Sequence, residues 1–455
     1  MSASRIKGQP GHSSPKFFKF SSRQAQMKNP INGRRWLNSK AFAFVMCAGL
    51  VLALGACGGG GGSNSSSSGA GSGSGSGSST GSSANSVALT VQAGQQNGVN
   101  IPTVSVQICA PGTTVCQTIP NVLVDTGSTG VRIASSALSA TVLAALPQET
   151  SGSGTLNACE QFVASYTWGT MRTADVTIGP KVAAGQPLQI FGDPAAGAAP
   201  VDCSDNGSLP AETTPAQFGS NGVIGVAPAL QDCGAACAQQ VIPGAYYSCA
   251  NGNCQGASAP LAAQAQNVVA SFAQDNNGVV VSMPAIPAAG QGGATGTLYF
   301  GVGTQTDNQM TGATVLATDP ATLSETATYN GASFPDSFID SGSNFFVLND
   351  PSIPACPAGG GFSEFYCPAS TLSLTASLAA LNGAALSEPF SVGNTQQLFS
   401  SNATFSAFDD IAATGALSGS IDFGLPFFYG KQIGVVNEGQ SGLGQSGPFF
   451  SIGTQ

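Results

Sequence analysis

Two stretches of the sequence set a carboxylate inside the same frame of small and apolar residues. The first is NVLVDTGSTGVRI, residues 121–133, with Asp125 at its centre; the second is DSFIDSGSNFFVL, residues 336–348, with Asp340 in the same place. In each copy apolar residues lead into Asp, then a hydroxyl residue, Gly and Ser follow, and apolar residues lead out. Leu123 with Val124, and Phe338 with Ile339, read as ends of short buried strands, and the Asp-Thr-Gly and Asp-Ser-Gly as turns. Gly127 and Gly342 let the backbone turn where a Cβ would obstruct it. The hydroxyls of Thr126, Ser128, Ser341 and Ser343 can hydrogen-bond locally and hold the carboxylates in place.

Two such turns meeting would bring two carboxyl groups to roughly 3 Å, where both cannot ionise and the pair shares a proton. One group can then take a proton from water while the other gives one to a carbonyl oxygen, which is general acid–base hydrolysis. A lone Asp-Thr-Gly is an ordinary turn composition. Its recurrence, with apolar flanks on both sides, is what points to chemistry.

The remaining composition narrows the choice. The single histidine, His12, precedes the apolar run, so the rest of the chain has no Ser-His-Asp or Cys-His catalysis and no His-based zinc site to offer. Nine of the 13 Lys and Arg fall in residues 1–40, and none of the 22 Asp and Glu precedes Cys57. Beyond Cys57 there are 4 basic and 22 acidic residues, a net charge of −18. Nucleic acid and anionic lipid, which need a cationic surface, are poor partners for such a chain. No cofactor or metal is expected.

The chain must also be exported and positioned. AFAFVMCAGLVLAL, residues 41–54, is an apolar run short for a membrane span and follows a long basic leader. Leu54-Gly55-Ala56-Cys57 looks like a bacterial lipobox, in which Cys57 is lipidated and becomes the N-terminus; an uncleaved anchor or an ordinary signal peptide is the rival reading. Gly58 lacks the acidic character associated with inner-membrane retention, so the expected location is the outer membrane, with the domain in the periplasm or at the cell surface. Residues 58–86 are almost wholly Gly, Ser and Ala, a flexible tether spanning on the order of 30 Å. Ten cysteines follow Cys57, an even set that suits disulfides in an oxidising compartment. Cys109 and Cys116 flank Pro111-Gly112 and would staple a hairpin. Cys233 with Cys237, Cys249 with Cys254 and Cys356 with Cys367 are local pairs that leave Cys159 with Cys203. A zinc site at Cys233, Cys237, Cys249 and Cys254 is the rival.

From Val87 onward short apolar strands alternate with Gly, Pro, Asn and Ser, the pattern of an all-β domain. Helical patterns are confined to residues 135–146, 260–275 and 370–383. The remaining length suits two β lobes: residues 87–288 as an N-terminal lobe with the first Asp-Thr-Gly, and residues 289–455 as a C-terminal lobe with the Asp-Ser-Gly. FGSNGVIGVAP and SGSIDFGLPFF, trailing the two turns, each set apolar residues against a Gly (Gly225 and Gly424) and extend the duplication.

With these motifs in order from about residue 95 to 452, the chain resembles the pepsin-like aspartic proteases. VDTGS and IDSGS match that family's two active-site turns, GVIGVA its apolar-apolar-Gly strand, GTLYFGVGTQTDN its Gly-rich strand and turn, and IDFGLPFFYGKQIGVV its closing strands. The resemblance implies a mainly β, two-lobed acid-protease fold with few short helices and an endopeptidase acting on a peptide or protein; with the lipobox-like segment, the expectation is a monomer tethered to the membrane through its N-terminal lipid. The alternative on the same fold is a catalytically silent peptide- or protein-binding lipoprotein. Residue by residue it implies that Asp125 and Asp340 bind the attacking water, that Thr126 and Ser341 brace the turns, and that Ser128 and Ser343 bond the outer carboxylate oxygens. Residues 165–179 resemble the hairpin flap, with Trp168-Gly169 where the family has Tyr-Gly and Tyr166 as the other candidate. Arg132 stands where the family carries a Trp that braces the flap, so the bracing must differ here.

Overall fold

The computed structural model describes residues 84–94, 98–320, 322–357, 362–415 and 419–455. The leader, the lipobox with Cys57 and nearly all of the Gly/Ser tether lie outside these residues; the first strand already begins at Ser86.

The expected β character holds. Among the described residues the longest helix is the seven-residue Thr395–Ser401, and none is long and apolar enough to cross a membrane. Two of the three helical patterns fail in instructive ways. Residues 372–379, LSLTASLA, form a strand whose burial alternates and which pairs antiparallel with Ala385–Val392. Leu and Ala favour helices, but the strict alternation of apolar and hydroxyl residues is a period of two, and the sheet decides. Residues 260–275 yield only two 3-10 turns, Leu261–Ala263 and Val268–Ser271. The first pattern, 135–146, survives as a 3-10 turn and the helix Ala140–Ala145, capped by Ser139 accepting from the Val142 N–H.

Each Asp turn is built the same way. The strand Cys116–Asp125 ends on the first Asp, and the chain returns as Thr129–Ala134. Gly222–Val226 inserts between the two arms, parallel to the first and antiparallel to the second, with Asp125 in register with Gly225. In the other half Ala332–Ile339 leads into Asp340, Phe346–Val347 leads out, and Asp422–Phe423 inserts in the same senses. The returning arm Thr129–Ala134 and the inserted Gly222–Val226 are buried along their whole length, whereas the entering arms are buried only toward their Asp ends.

A shared sheet joins the halves. Ser86–Val91 pairs with Ala294–Phe300, which pairs with Gly278–Met283, then Lys431–Val436, Phe449–Thr454 and Thr314–Ala317. The division expected at residues 288/289 thus falls between two strands of one sheet. One apolar core runs beneath both turns, from Val124 and Val131 to Ile339, Phe346 and Phe423. All five expected disulfides are formed: Cys109–Cys116, Cys159–Cys203, Cys233–Cys237, Cys249–Cys254 and Cys356–Cys367. The cysteines of the rival zinc site are therefore paired with one another.

Candidate active site

The structure brings the two turns together through a reciprocal lattice. Thr126 Oγ1 donates to the Ile339 carbonyl at 2.8 Å and accepts from the Ser341 N–H at 2.9 Å. Ser341 Oγ donates to the Val124 carbonyl at 2.8 Å and accepts from the Thr126 N–H at 3.1 Å. Each hydroxyl therefore spends its hydrogen and a lone pair on the opposite turn, and four buried polar groups are satisfied across the junction.

Glycine is what allows the approach. A Cβ on Gly127 would stand 2.5 Å from Asp340 Cγ, and one on Gly342 would stand 2.6 Å from Asp125 Cγ. Each turn passes directly beneath the other's carboxyl group. Within its own turn, Asp125 accepts from the Gly127 N–H at 2.7 Å and from the Ser128 hydroxyl. Asp340 accepts from the Gly342 N–H at 2.7 Å and from Ser343 Oγ at 2.9 Å. Both acids are more than nine-tenths buried. Burial, and then the facing Asp125, push the Asp340 carboxyl well above the usual carboxylate range. All eight turn residues singled out in the sequence thus meet in one place.

Arg132 follows the first turn and is almost wholly buried. Its guanidinium donates to Glu160 Oε2 at 2.6 Å, to Asp232 Oδ2 at 2.9 Å and to the Thr129 carbonyl at 2.7 Å. Tyr246 donates to Asp232 from the far side at 2.6 Å. Burial raises Glu160 to about 8, with Arg132 opposing and the charges of Asp232 and Asp125 adding to the rise. Asp232 is raised to about 6 by burial against the pull of Arg132. Sequence reading marked Arg132 as a departure and missed both acids. The available signal was scarcity: the described chain has four cations, and each of the others is also paired, Arg172 with Asp193, Lys181 with Asp275 and Lys431 with Glu388.

The flap reading needs correction. Residues 166–178 are one strand, antiparallel to Gly154–Gln161, and the reversal between them is at residues 162–165, where the Phe162 N–H donates to the Ser165 carbonyl. Trp168 sits inside that strand, buried, with its indole N–H on the Gly197 carbonyl and its ring edge-on to Tyr247. Gly169 is not a turn residue either: a Cβ there would stand 1.9 Å from the Ile190 carbonyl oxygen of the adjacent strand. Tyr166 borders the reversal, held by backbone bonds to Pro210 and Glu212. The Tyr-Gly spacing was matched where strand packing, not a hairpin tip, demands the glycine. Glu160, on the arm leading into the reversal, ties that hairpin to Arg132 and the first turn.

Asn100 and Asn344, also missed, tie the N-terminal segment to the second turn. Asn100 donates to the Asn344 and Phe408 carbonyls at 2.8 Å each, and Asn344 donates to the Val99 carbonyl at 2.6 Å. Asn100 has φ 54°, a left-handed conformation that asparagine tolerates better than most residues. Among the described residues no group of three or more His, Cys, Asp or Glu could hold a metal ion.

A family model described as a protein of unknown function (DUF3443) matches residues 81–452. No curated protein matches the chain. Among solved structures that match is the crystal structure of aspartic proteinase from Irpex lacteus, at 14% identity and a TM-score of 0.44, covering 81% of this chain and 98% of that one.

Proposed function

The chain belongs to the family of proteins of unknown function DUF3443, and we propose that this member is an aspartic endopeptidase whose dyad is Asp125 and Asp340. A single observation carries the reading: each turn's glycine lies under the other turn's carboxyl carbon, within 2.6 Å of where a Cβ would be. A lattice that exists only to hold two carboxyl groups face to face has little purpose in a passive scaffold.

The chemistry follows from the proton on Asp340. Asp125 takes a proton from a water held between the acids, and the water oxygen bonds to the peptide carbonyl carbon. Asp340 gives its proton to the carbonyl oxygen, so a neutral tetrahedral diol forms. Asp125 then passes its proton to the amide nitrogen as the C–N bond breaks, and a diol hydroxyl returns a proton to Asp340. Substrate would lie extended in the cleft, bonded as an added strand.

The lipobox-like Leu54-Gly55-Ala56-Cys57 and the Gly/Ser tether support an outer-membrane lipoprotein that works as a monomer on peptides or proteins in the periplasm or at the cell surface. The test is cleavage of a peptide library, with Asp125→Asn and Asp340→Asn as controls. The expected outcome is sequence-selective cleavage by the wild-type protein and a loss of at least about 100-fold in either variant, with circular dichroism unchanged. Peptide binding without cleavage would move the assignment to a capture protein.

A further inference from the structure

The second turn contains a third carboxyl group that the dyad does not require. Asp422 lies on the inserted strand, in register with Phe338 of the arm leading to Asp340 and with Val347 of the arm leading out. It is fully buried. Ser343 Oγ stands 2.6 Å from Asp422 Oδ2 and 2.9 Å from Asp340 Oδ2. The other Asp422 oxygen has no hydrogen-bond partner. Asp340 and Asp125 are the charged groups that face Asp422, and no cation accompanies it.

A serine hydroxyl carries one hydrogen and cannot give it to two carboxylates at once. One of the two acids must therefore bring a hydrogen of its own to Ser343. Asp340 faces the first turn across the dyad, and its Oδ1 already accepts from the Gly342 N–H at 2.7 Å, so its carboxylate is the better hydrogen-bonded of the two. Asp422, by contrast, is sealed from water, one of its oxygens is unbonded, and an ionised form there would be an uncompensated buried charge.

We propose that Asp422 is a positioning residue of the dyad: it remains protonated and donates from Oδ2 to Ser343 Oγ, which commits the Ser343 hydrogen to Asp340 Oδ2. Burial pushing the Asp422 carboxyl well above its ordinary range agrees with this arrangement. The role in catalysis rests on the endopeptidase reading, whereas the protonated contact stands without it. When Asp340 gives its proton to the substrate carbonyl, it becomes an anion facing a hydroxyl donor whose own oxygen is already bonded by Asp422. The chain of two bonds polarises in the same direction and stabilises the new carboxylate. Its effect is greatest in the tetrahedral state, so it acts on kcat rather than on KM.

Two variants and two readouts test the proposal. Infrared spectroscopy of aspartate-labelled protein at neutral pH should show a protonated carboxyl band that Asp422→Asn removes and that needs no substrate. In peptide cleavage, Asp422→Asn, whose amide can still donate to Ser343, should keep kcat within about threefold, while Asp422→Val should lower it about tenfold with KM unchanged. Ser343→Ala combined with Asp422→Val should lose no more than Ser343→Ala alone, because both cut the same chain. Absence of the band, or a fully active Asp422→Val enzyme, would overturn the proposal. A wild-type protein that cleaves nothing yet shows the band would sink the endopeptidase reading and leave the protonated contact standing.

Discussion

The two halves of the site share their turns but not their surroundings. Seven residues after Asp125 the chain buries Arg132, which holds Glu160 and Asp232; seven residues after Asp340 it places Val347. Opposite the strand entering the first turn is Val223, in register with Leu123; opposite the second is Asp422, in register with Phe338. The first half thus buries acids beside a cation. The second buries Glu325, Asp410 and Asp422 with no cation beside them, and burial raises Glu325 to about 8 and Asp410 to about 7. Glu212 is the first half's exception, raised to about 7 by burial. The lesson is that a duplicated frame fixes the reacting groups, while the buried acids around each turn differ: beside a cation at the first, with none at the second, where the half's one ion pair among the described residues, Lys431 with Glu388, lies elsewhere.

The shared frame is the place where a single atom should do most harm. Gly342→Ala puts a methyl group 2.6 Å from Asp125 Cγ, and Gly127→Ala one 2.5 Å from Asp340 Cγ. Backbone on one side and a locked carboxyl on the other leave neither partner room to yield. Both substitutions should lower kcat/KM by at least about 100-fold, and by similar factors, because the lattice is symmetric. A large loss from one and none from the other would show that the halves do not support each other equally.

The frame was legible because its demands are local. An Asp, a hydroxyl and a Gly in adjacent positions, with apolar arms, are needed at each turn, and the sequence repeats them; the short spacings of four cysteine pairs left only one partner for Cys159. What was hidden depends on contacts remote in sequence. Glu160 and Asp232 reach Arg132 over 28 and 100 residues, and nothing near them marks them as its partners. Asp422 sits in an apolar run where a lone acid looks like a strand end. Trp168-Gly169 imitated a flap because a glycine required by the Ile190 carbonyl is indistinguishable in sequence from one required by a turn. The strand 372–379 was misjudged because helix propensity outweighed a clear alternation.

Removing the first half's cation should be the next largest effect. Arg132→Met leaves Glu160 and Asp232 buried without a counter-ion, which should destabilise the fold by about 3–5 kcal/mol in chemical denaturation. Replacing all three residues by apolar side chains of similar size should recover most of that loss, since the desolvation of the charges disappears with them. If Arg132→Met alone is neutral, the cluster is already protonated and the two halves are alike.

The second half should reveal itself through pH. An unfolded glutamate releases its proton near about 4.3, whereas folded Glu325, buried with neither oxygen hydrogen-bonded, holds it up to about 8. Between these values the folded state keeps a proton that the unfolded state has lost, so stability from this group is full in acid and falls as pH rises. The melting temperature should therefore decline from about pH 5 to about pH 8, and Glu325→Gln should flatten that decline, with a gain on the order of 2 kcal/mol at the upper end. A melting temperature that stays level or rises over this range would mean that Glu325 does not keep its proton in the folded state, since Asp193, Asp275 and Asp350, each held below the ordinary range by its hydrogen bonds, change stability only below about pH 4.

The smallest contrast concerns the staples, four of which lie in the first half and one in the second. Cys159–Cys203 closes 44 residues and ties the arm bearing Glu160 to the segment beyond the hairpin, while Cys109–Cys116 closes only seven. On loop entropy alone the first should contribute about 4 kcal/mol and the second about 2.4 kcal/mol. Replacing each pair by serines should show that difference of about 1.6 kcal/mol in denaturant midpoints. The longer staple should also weaken peptide cleavage, because the arm it anchors carries a partner of Arg132. The shorter one, at the far end of the strand that leads to Asp125, should leave cleavage unchanged. Equal loss of activity from both would mean that the hairpin arm is held by its strand pairing alone and that Glu160 reaches the first turn without help.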